Sequence, residues 1–395
     1  MRSVGTIVRG IRTPIIKEND DLKQIVVDSL MKAKESEGFE FKDRDIVAIT
    51  EAVVGIAQGN YVTVDQIAKD IKTKFGVNHI GVLFPILSRN RFAVLLSAIA
   101  RAMDKITLQI SYPSDEVGND ILDRDRMKSL GINPYTDVLS EEEYHEKFGD
   151  WKHIFTGVNM VDFYKYLIEK EGCEAEIILA NNPTEILNHV NDVLVCDIHT
   201  RFETKEIVKA KATGKVLGMD EICNEPVDGS GCNHKYGLYG SNRSTEERVK
   251  LFPENGEELV YGIQDELRKL TGKEIEVMIY GDGAFKDPVG KIWELADPVV
   301  SPAYTKGLEG SPNELKLKYL SDNKFSDLKG EELADAMRQA IREKDQNLKG
   351  KIETQGTTPR RYSDLIGSLC DLTSGSGDKG TPVVFIQGYF DNYSN

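Results

Sequence analysis

Residues 279–285 read Ile-Tyr-Gly-Asp-Gly-Ala-Phe and set one carboxylate, Asp282, between two glycines at the end of the apolar run "EIEVMIY". Two readings fit that placement. Asp-Gly is a favoured turn dipeptide. Alternatively, the carboxyl end of a buried strand is where α/β proteins present their ligands. Asp287 and Asp297 follow closely, in "GAFKDPVGKIWELADPVV". Several carboxylates near one strand end would hold Mg2+ or Mn2+ through hard oxygens and position a nucleotide polyphosphate. Solvated acids beside a turn are the plainer possibility.

Three other stretches carry potential chemistry. "FPILSRNRFAVL" sets Ser88, Arg89 and Arg91 between a strand and a helix amino end, where free N–H groups and arginine suit an anion. A simple helix cap with solvated arginines is the alternative. "LCDLTSGSGDKGTPVVF" places Gly375, Ser376, Gly377 and Asp378 in a glycine-rich loop that allows close backbone approach to phosphate, or merely links two elements. It is not a P-loop, because neither the spacing nor the strand–helix order agrees. Cys196, His199, Cys223, Cys232 and His234 fall within one stretch, but with no C-x-x-C pair they read as unrelated thiols and histidines rather than a zinc site.

The elements that must position these residues alternate along the chain. "DIVAITEAVVG", "KITLQISYP", "EAEIILANN" and "DVLVCDIHT" read as strands, and "VDFYKYLIEKEG", "PTEILNHVND" and "GEELVYGIQDELRKLTG" as helices. Near the N-terminus "VGTIVRGI" and "RTPIIKENDD" read as a strand pair, and from Ile207 "IVKAKATGKVLG" reads as a hairpin. The expected fold class is α/β, with mixed, partly parallel sheets, helices on their faces and a turn-rich β region in the second half. Boundaries near Thr73 and Lys205 divide the chain into 1–73, 74–205 and 206–395.

Composition sets further bounds. The 395 residues suffice for two or three domains. A formal charge of −15 argues against a general nucleic-acid binder, though not against a basic pocket for a small anion. The five cysteines are odd in number and dispersed, unlike a disulfide framework. The opening "MRSVGTIVRGIRTP" lacks a secretory apolar stretch, and no apolar run nears the roughly 20 residues of a membrane span. A cytoplasmic protein with no membrane partner is expected.

The order of the pieces narrows the reading. "GIRTPIIKENDDL", "DIVAITEAVVGIAQG", "GLYGSN", "VKLFPENGEELVYGIQDELRKLTGKEIEVMIYGDG" and "LIGSLCDLTSGSGDKGTPVVFIQG" succeed one another in a way that resembles the coenzyme F420:glutamate ligase family. The resemblance covers roughly the first 60 residues, 235–300 and 360–390, with an insertion between the first two blocks. It implies an amide ligase that uses GTP and a divalent metal to join glutamate to a deazaflavin precursor, working as a homodimer. It implies Asp282 as a metal ligand, joined here by Asp287, and a nucleotide site of Gly10, Ile11, Arg12, Thr13, Ser241, Asn242 and the loop Gly375–Asp378.

This sequence departs from the family pattern at two places. Tyr239 stands where the family's "G-I-D-x-S-N" has a metal-binding aspartate, and Ile56 where its "S-K-A-E-G" turn has lysine. Arg89 or Arg91 would replace the lost positive charge, and Asp287 or Asp197 the lost ligand. The expected function is a nucleotide- and metal-dependent ligase joining an amino acid to a deazaflavin, pterin or other carboxylate acceptor. A family-shaped binding protein without ligase chemistry and a metal-dependent phosphohydrolase are the rivals.

Overall fold

The computed structural model describes residues 3–154, 156–283, 296–357, 360–373, 375 and 377–394. Strand β1 (Ile7–Ile11) leads to helix α1 (Leu22–Glu37), β2 (Ile46–Thr50), α2 (Glu51–Ala57), β3 (Tyr61–Thr63) and α3 (Val64–Phe75). Next come β4 (His79–Leu83), α4 (Phe92–Ala102), β5 (Lys105–Ile110), α5 (Arg124–Ser129), β6 (Leu139–Ser140), α6 (Glu141–Phe148), α7 (Met160–Glu169), β7 (Glu174–Leu179) and β8 (Val193–Val195). Then follow α8 (Arg201–Lys209), β9 (Val216–Gly218), β10 (Asn242–Arg243), β11 (Arg248–Lys250), α9 (Gly256–Thr271) and β12 (Glu276–Tyr280). The chain closes with β13 (Ala303–Tyr304), α10 (Leu317–Tyr319), α11 (Gly330–Arg342), α12 (Tyr362–Thr373) and β14 (Val383–Gln387).

These strands form three sheets, mixing parallel and antiparallel pairs. The first has the order β1-β14-β2-β12-β13 and so joins strands from both ends of the chain. Its central strands β14, β2 and β12 are buried at every position because both faces are covered, and four of the five residues in each are apolar. Alternation sends Val47, Ile49, Val277, Ile279, Val383 and Phe385 to the face under α1 and α9. Ile46, Ala48, Met278, Tyr280, Val384 and Ile386 meet Ile366 and Cys370 of α12 on the other face. The register of each strand is thereby fixed, since a slip of one residue would exchange the two faces.

The second sheet has the order β6-β7-β5-β4-β8-β9, parallel except for β6. The chain runs from β4 outward to β5 and β7, then returns to β8 and β9 on the other side of β4. That reversal opens a crevice at the carboxyl ends of β4 and β8, the usual ligand position in doubly wound sheets. A third, small antiparallel sheet, β10-β11-β3, packs Val62 and Val249 into the core of the second.

Three local readings differ from the structure. The stretch "IVKAKATGKVLG" is not a hairpin: its first half completes α8, whose Thr204 and Val208 are buried four residues apart on one face, and its second half is β9, parallel to β8. The expected helix in "PTEILNHVND" is only the short 3-10 turn Glu185–Asn188. Ile186 packs so closely over Gly81 that a Cβ there would lie 2.6 Å from its Cγ1. The stretch "RTPIIKENDD" forms no strand; it ends at Asp21, whose side chain caps α1 by accepting from the Gln24 N–H. Among the described residues no helix is long and apolar enough to cross a membrane.

Candidate functional site

Topology gathers the residues of interest on one edge of the first sheet. In register, Ile11 lies opposite Val383, Val383 opposite Ile49, and Ile49 beside Ile279. β1, β2 and β12 all point the same way, so Arg12 and Thr13, Glu51 and Asp282 leave the sheet at a common edge. The glycine-rich loop enters β14 there too. At a strand spacing of about 4.8 Å, the first and last of these exits are roughly 14 Å apart. The edge is stitched by the Thr13 N–H donating to the Gly380 carbonyl (3.3 Å) and the Thr50 N–H to the Pro382 carbonyl (2.9 Å).

The glycines beside Asp282 serve close approach. A Cβ at Gly281 would lie 2.2 Å from Asp297 Oδ2, and one at Gly283 2.7 Å from the Ser368 Cα on α12. With those side chains absent, the Asp282 N–H donates to Asp297 Oδ2 (2.8 Å) and the Gly283 N–H to Asp371 Oδ2 (2.9 Å). Both Asp282 and Asp297 receive the guanidinium of Arg91: Nη2 lies 2.7 Å from Asp282 Oδ2 and Nη1 2.7 Å from Asp297 Oδ1. Burial pushes the Asp371 carboxyl up, Asp297 adds to that rise, and Arg91 opposes it.

A second buried ion pair stands beside the first. Glu51 Oε2 and Lys250 Nζ are 2.8 Å apart, with side chains only 6% and 7% exposed. Burial raises the Glu51 carboxyl and Lys250 pulls it back down. The Lys250 stem passes Gly55, where a Cβ would come 3.3 Å from its Cδ. Lys250 thus brings a cation beside α2, the helix that carries Ile56.

Arg91 arrives from the other sheet, on the loop between β4 and α4. Asp115 pins that loop by accepting the Leu87 N–H (2.7 Å). The Tyr164 hydroxyl accepts from the Ser88 N–H (2.9 Å) and donates to the Ile86 carbonyl (2.7 Å). The Ser88 hydroxyl accepts the Arg91 N–H (3.1 Å), so it holds the backbone just before α4. Arg89 is exposed and near His153, whose ring burial and then the Arg89 charge disfavour protonating.

A cavity of about 390 Å3 brings together Ser88, Arg89, Arg91, Asn119, His153, Asn242 and Asp282. The anion candidates of one sheet therefore share a wall with the strand-end aspartate of the other. Gly10, Ile11, Arg12 and Thr13 line a different cavity, of about 860 Å3, with Arg9, Lys32, Lys379 and Thr381. Gly375 bridges to Thr381, the Gly377 carbonyl accepts the Gly380 N–H (3.0 Å), and Asp378 is exposed. Ser241 is buried, and its hydroxyl has no partner among the described residues. Asp287 and Ser376 lie outside the described residues.

Hard carboxylate oxygens suit Mg2+ or Mn2+ by type, but the described residues around Asp282 do not fit a protein-held ion. Among the described residues no three His, Cys, Asp or Glu side chains come together as ligands. Arg91 already sits between Asp282 and Asp297. A divalent ion about 4 Å from that guanidinium would be repelled by about 8 kcal/mol at an effective dielectric of about 20. Tyr239 does not supply a ligand in place of the family's aspartate: it is buried, and its hydroxyl donates to the Asp197 carbonyl (2.9 Å). The Asp197 side chain accepts the hydroxyls of Thr200 (2.5 Å) and Thr204 (2.6 Å). Of the thiols and histidines, Cys196 and Cys223 are buried in the core, and Cys232 contacts His234 at 3.8 Å.

Glu51, Lys250 and Asp371 escaped the sequence reading. Two of them carried a usable signal: a charge inside an apolar run, as in "AITEAVVG" and "VKLF", needs a partner when buried. Asp371 sits at the end of an ordinary amphipathic helix and gives no such hint.

No curated protein matches the chain. Among family models, the one described as F420-0:Gamma-glutamyl ligase matches residues 10–388, a single span that continues through the stretch between the resembling blocks. With the strand-end aspartate, the glycine-rich loop and the Gly10–Thr13 turn on one sheet edge inside that span, the chain belongs to the F420-0:gamma-glutamyl ligase family.

Proposed function

We propose that this protein is a nucleotide-dependent amide ligase, joining glutamate or another amino acid to a carboxylate acceptor such as a deazaflavin or pterin acid. Family membership supports a ligase-type activity. One observation carries the finer reading: two cation-lined cavities flank a single sheet edge in a chain whose formal charge is −15. Arg9, Arg12, Lys32 and Lys379 gather in one cavity and Arg89 in the other, against the overall charge. Such local basicity suits two anionic substrates.

In this reading the nucleotide, GTP entering as its Mg2+ or Mn2+ complex, lies against the Gly10–Thr13 turn. Gly375, Gly377 and Asp378 close over its phosphates, which run along the edge toward Ser241 and Asn242. The acceptor carboxylate attacks the γ-phosphorus and the nucleoside diphosphate leaves. The amino acid's amine then attacks the acyl phosphate and releases phosphate. Arg89 and the amino end of α4 orient the anionic substrate in the smaller cavity. We propose further that residues 74–205 act as an inserted unit that carries Arg89 and Arg91 to an edge built by 1–73 and 206–395, with β9 completing its sheet. The homodimer implied by the resemblance belongs to the same reading.

A rival reading, a binding protein that has lost ligase chemistry, draws on Tyr239 closing the family's acidic position. Thermal stabilisation by GTP with Mg2+ tests nucleotide binding, and glutamate-dependent phosphate release separates ligase from binding protein. Phosphate release that ignores glutamate would support a phosphohydrolase instead.

A further inference from the structure

We infer that Arg91 takes the place of a protein-held divalent cation, so that Asp282 and Asp297 are satisfied by a guanidinium built into the chain. Arg91 donates to the two carboxylates at 2.7 Å each, the short length of charge-assisted bonds. The two acids come from opposite ends of the 283–296 stretch, and one cation bridges them as a metal ion would. The other Asp297 oxygen already accepts the Asp282 N–H.

The guanidinium is not a casual visitor. Its side chain is 14% exposed and that of Asp297 is 0% exposed, so withdrawing Arg91 would strand a buried charge. Its backbone is held at the start of α4 by Ser88, and the loop before it by Asp115 and Tyr164. The neighbouring acids are engaged as well: Glu51 by Lys250 and Asp371 by the Gly283 N–H. The position of the missing family aspartate is closed by Tyr239, which points its hydroxyl at a backbone carbonyl. Each departure fits a site whose positive charge is permanent. A divalent ion then reaches this edge only as part of a nucleotide complex. The inference stands whether or not the protein is a ligase.

The test is Mn2+ titration of the nucleotide-free full chain, followed by electron paramagnetic resonance of the free ion. Wild type and Asp282→Asn are expected to give the same curve, with no stoichiometric micromolar site. Arg91→Ala is expected to gain Mn2+ binding, and Arg91→Ala/Asp282→Asn to lose at least about tenfold of that gain, because hard cations prefer charged oxygens. Arg91→Lys, which keeps the charge, is expected to bind no more Mn2+ than wild type. A tight Mn2+ site in wild type that Asp282→Asn removes would overturn the inference, and that pair of proteins decides even where Arg91→Ala does not fold. A folded Arg91→Ala protein with no added Mn2+ binding would also count against it.

Discussion

Lys250→Met removes the positive group bonded to Glu51 and leaves a stem of similar length in place. Glu51 remains 4% exposed, packed where burial already opposes its charge. With Lys250 gone, the carboxyl is better held protonated than charged. Its ordinary value is 4.5, so protonating it at pH 7 costs about 3 kcal/mol at 1.36 kcal/mol per pH unit, and at pH 5 under about 1 kcal/mol. A carboxyl whose folded value is raised keeps its stability at low pH and loses it as pH rises through that value. The variant should therefore be destabilised by about 3 kcal/mol at pH 7 and approach wild type at pH 5. Glu51→Gln/Lys250→Met should recover most of the loss, because replacing both partners of a buried pair is often nearly neutral. Urea unfolding of wild type, both single variants and the double variant at the two pH values measures the coupling. A loss that is equal at pH 5 and pH 7, or a double variant as unstable as Lys250→Met, would mean that the Glu51 carboxyl is not what the lysine neutralises.

Three further outcomes are expected. Arg89→Ala should weaken nucleotide or phosphorylated-substrate binding about 10- to 100-fold, the worth of one charge-assisted hydrogen bond, with unchanged thermal stability; unchanged affinity by calorimetry would remove Arg89 from the site. Arg12→Ala/Lys379→Ala should lower nucleotide affinity and flatten its salt dependence, since two cations of the larger cavity are lost; an unaltered salt dependence would place the nucleotide elsewhere. Burial pushes Asp115 up to about 6 from its ordinary 3.8 although it accepts several N–H groups. Its contribution is thus fully present below pH 3.8 and is lost as pH rises through about 6, so the stability advantage of wild type over Asp115→Asn should shrink by about 3 kcal/mol between pH 4 and pH 7. A constant difference would show that Asp115 titrates normally.

The parts of this fold that were readable from sequence are those whose pattern is local. The cores of "DIVAIT", "EVMIY" and "PVVFIQ" are apolar without alternation, which signals strands covered on both faces, and each lies in the first sheet. The glycines around Asp282 announced a special backbone, but their reason is tertiary: Asp297 and α12 approach from segments distant in sequence. Arg91 was legible as an anion candidate from its place before α4. Its partners were not, because a β4–α4 loop gives no hint of reaching across to the end of β12. Helix α8 was missed because "TKEIVK" is too polar to show its two inward residues, and β9 because a three-residue strand carries almost no period.

In the proposed reaction this sheet edge joins an amino acid to a carboxylate at the expense of a nucleotide. Mass spectrometry of the full-length protein with GTP, Mn2+, glutamate and a panel of deazaflavin, pterin and simple carboxylic acceptors tests it most directly. The expected result is a new amide product that requires acceptor, glutamate and nucleotide together, accompanied by GDP and phosphate, and formed more slowly by Arg89→Ala at low substrate concentration. GTP bound at the edge with no amide formed from any acceptor, and no glutamate-dependent phosphate release, would contradict it.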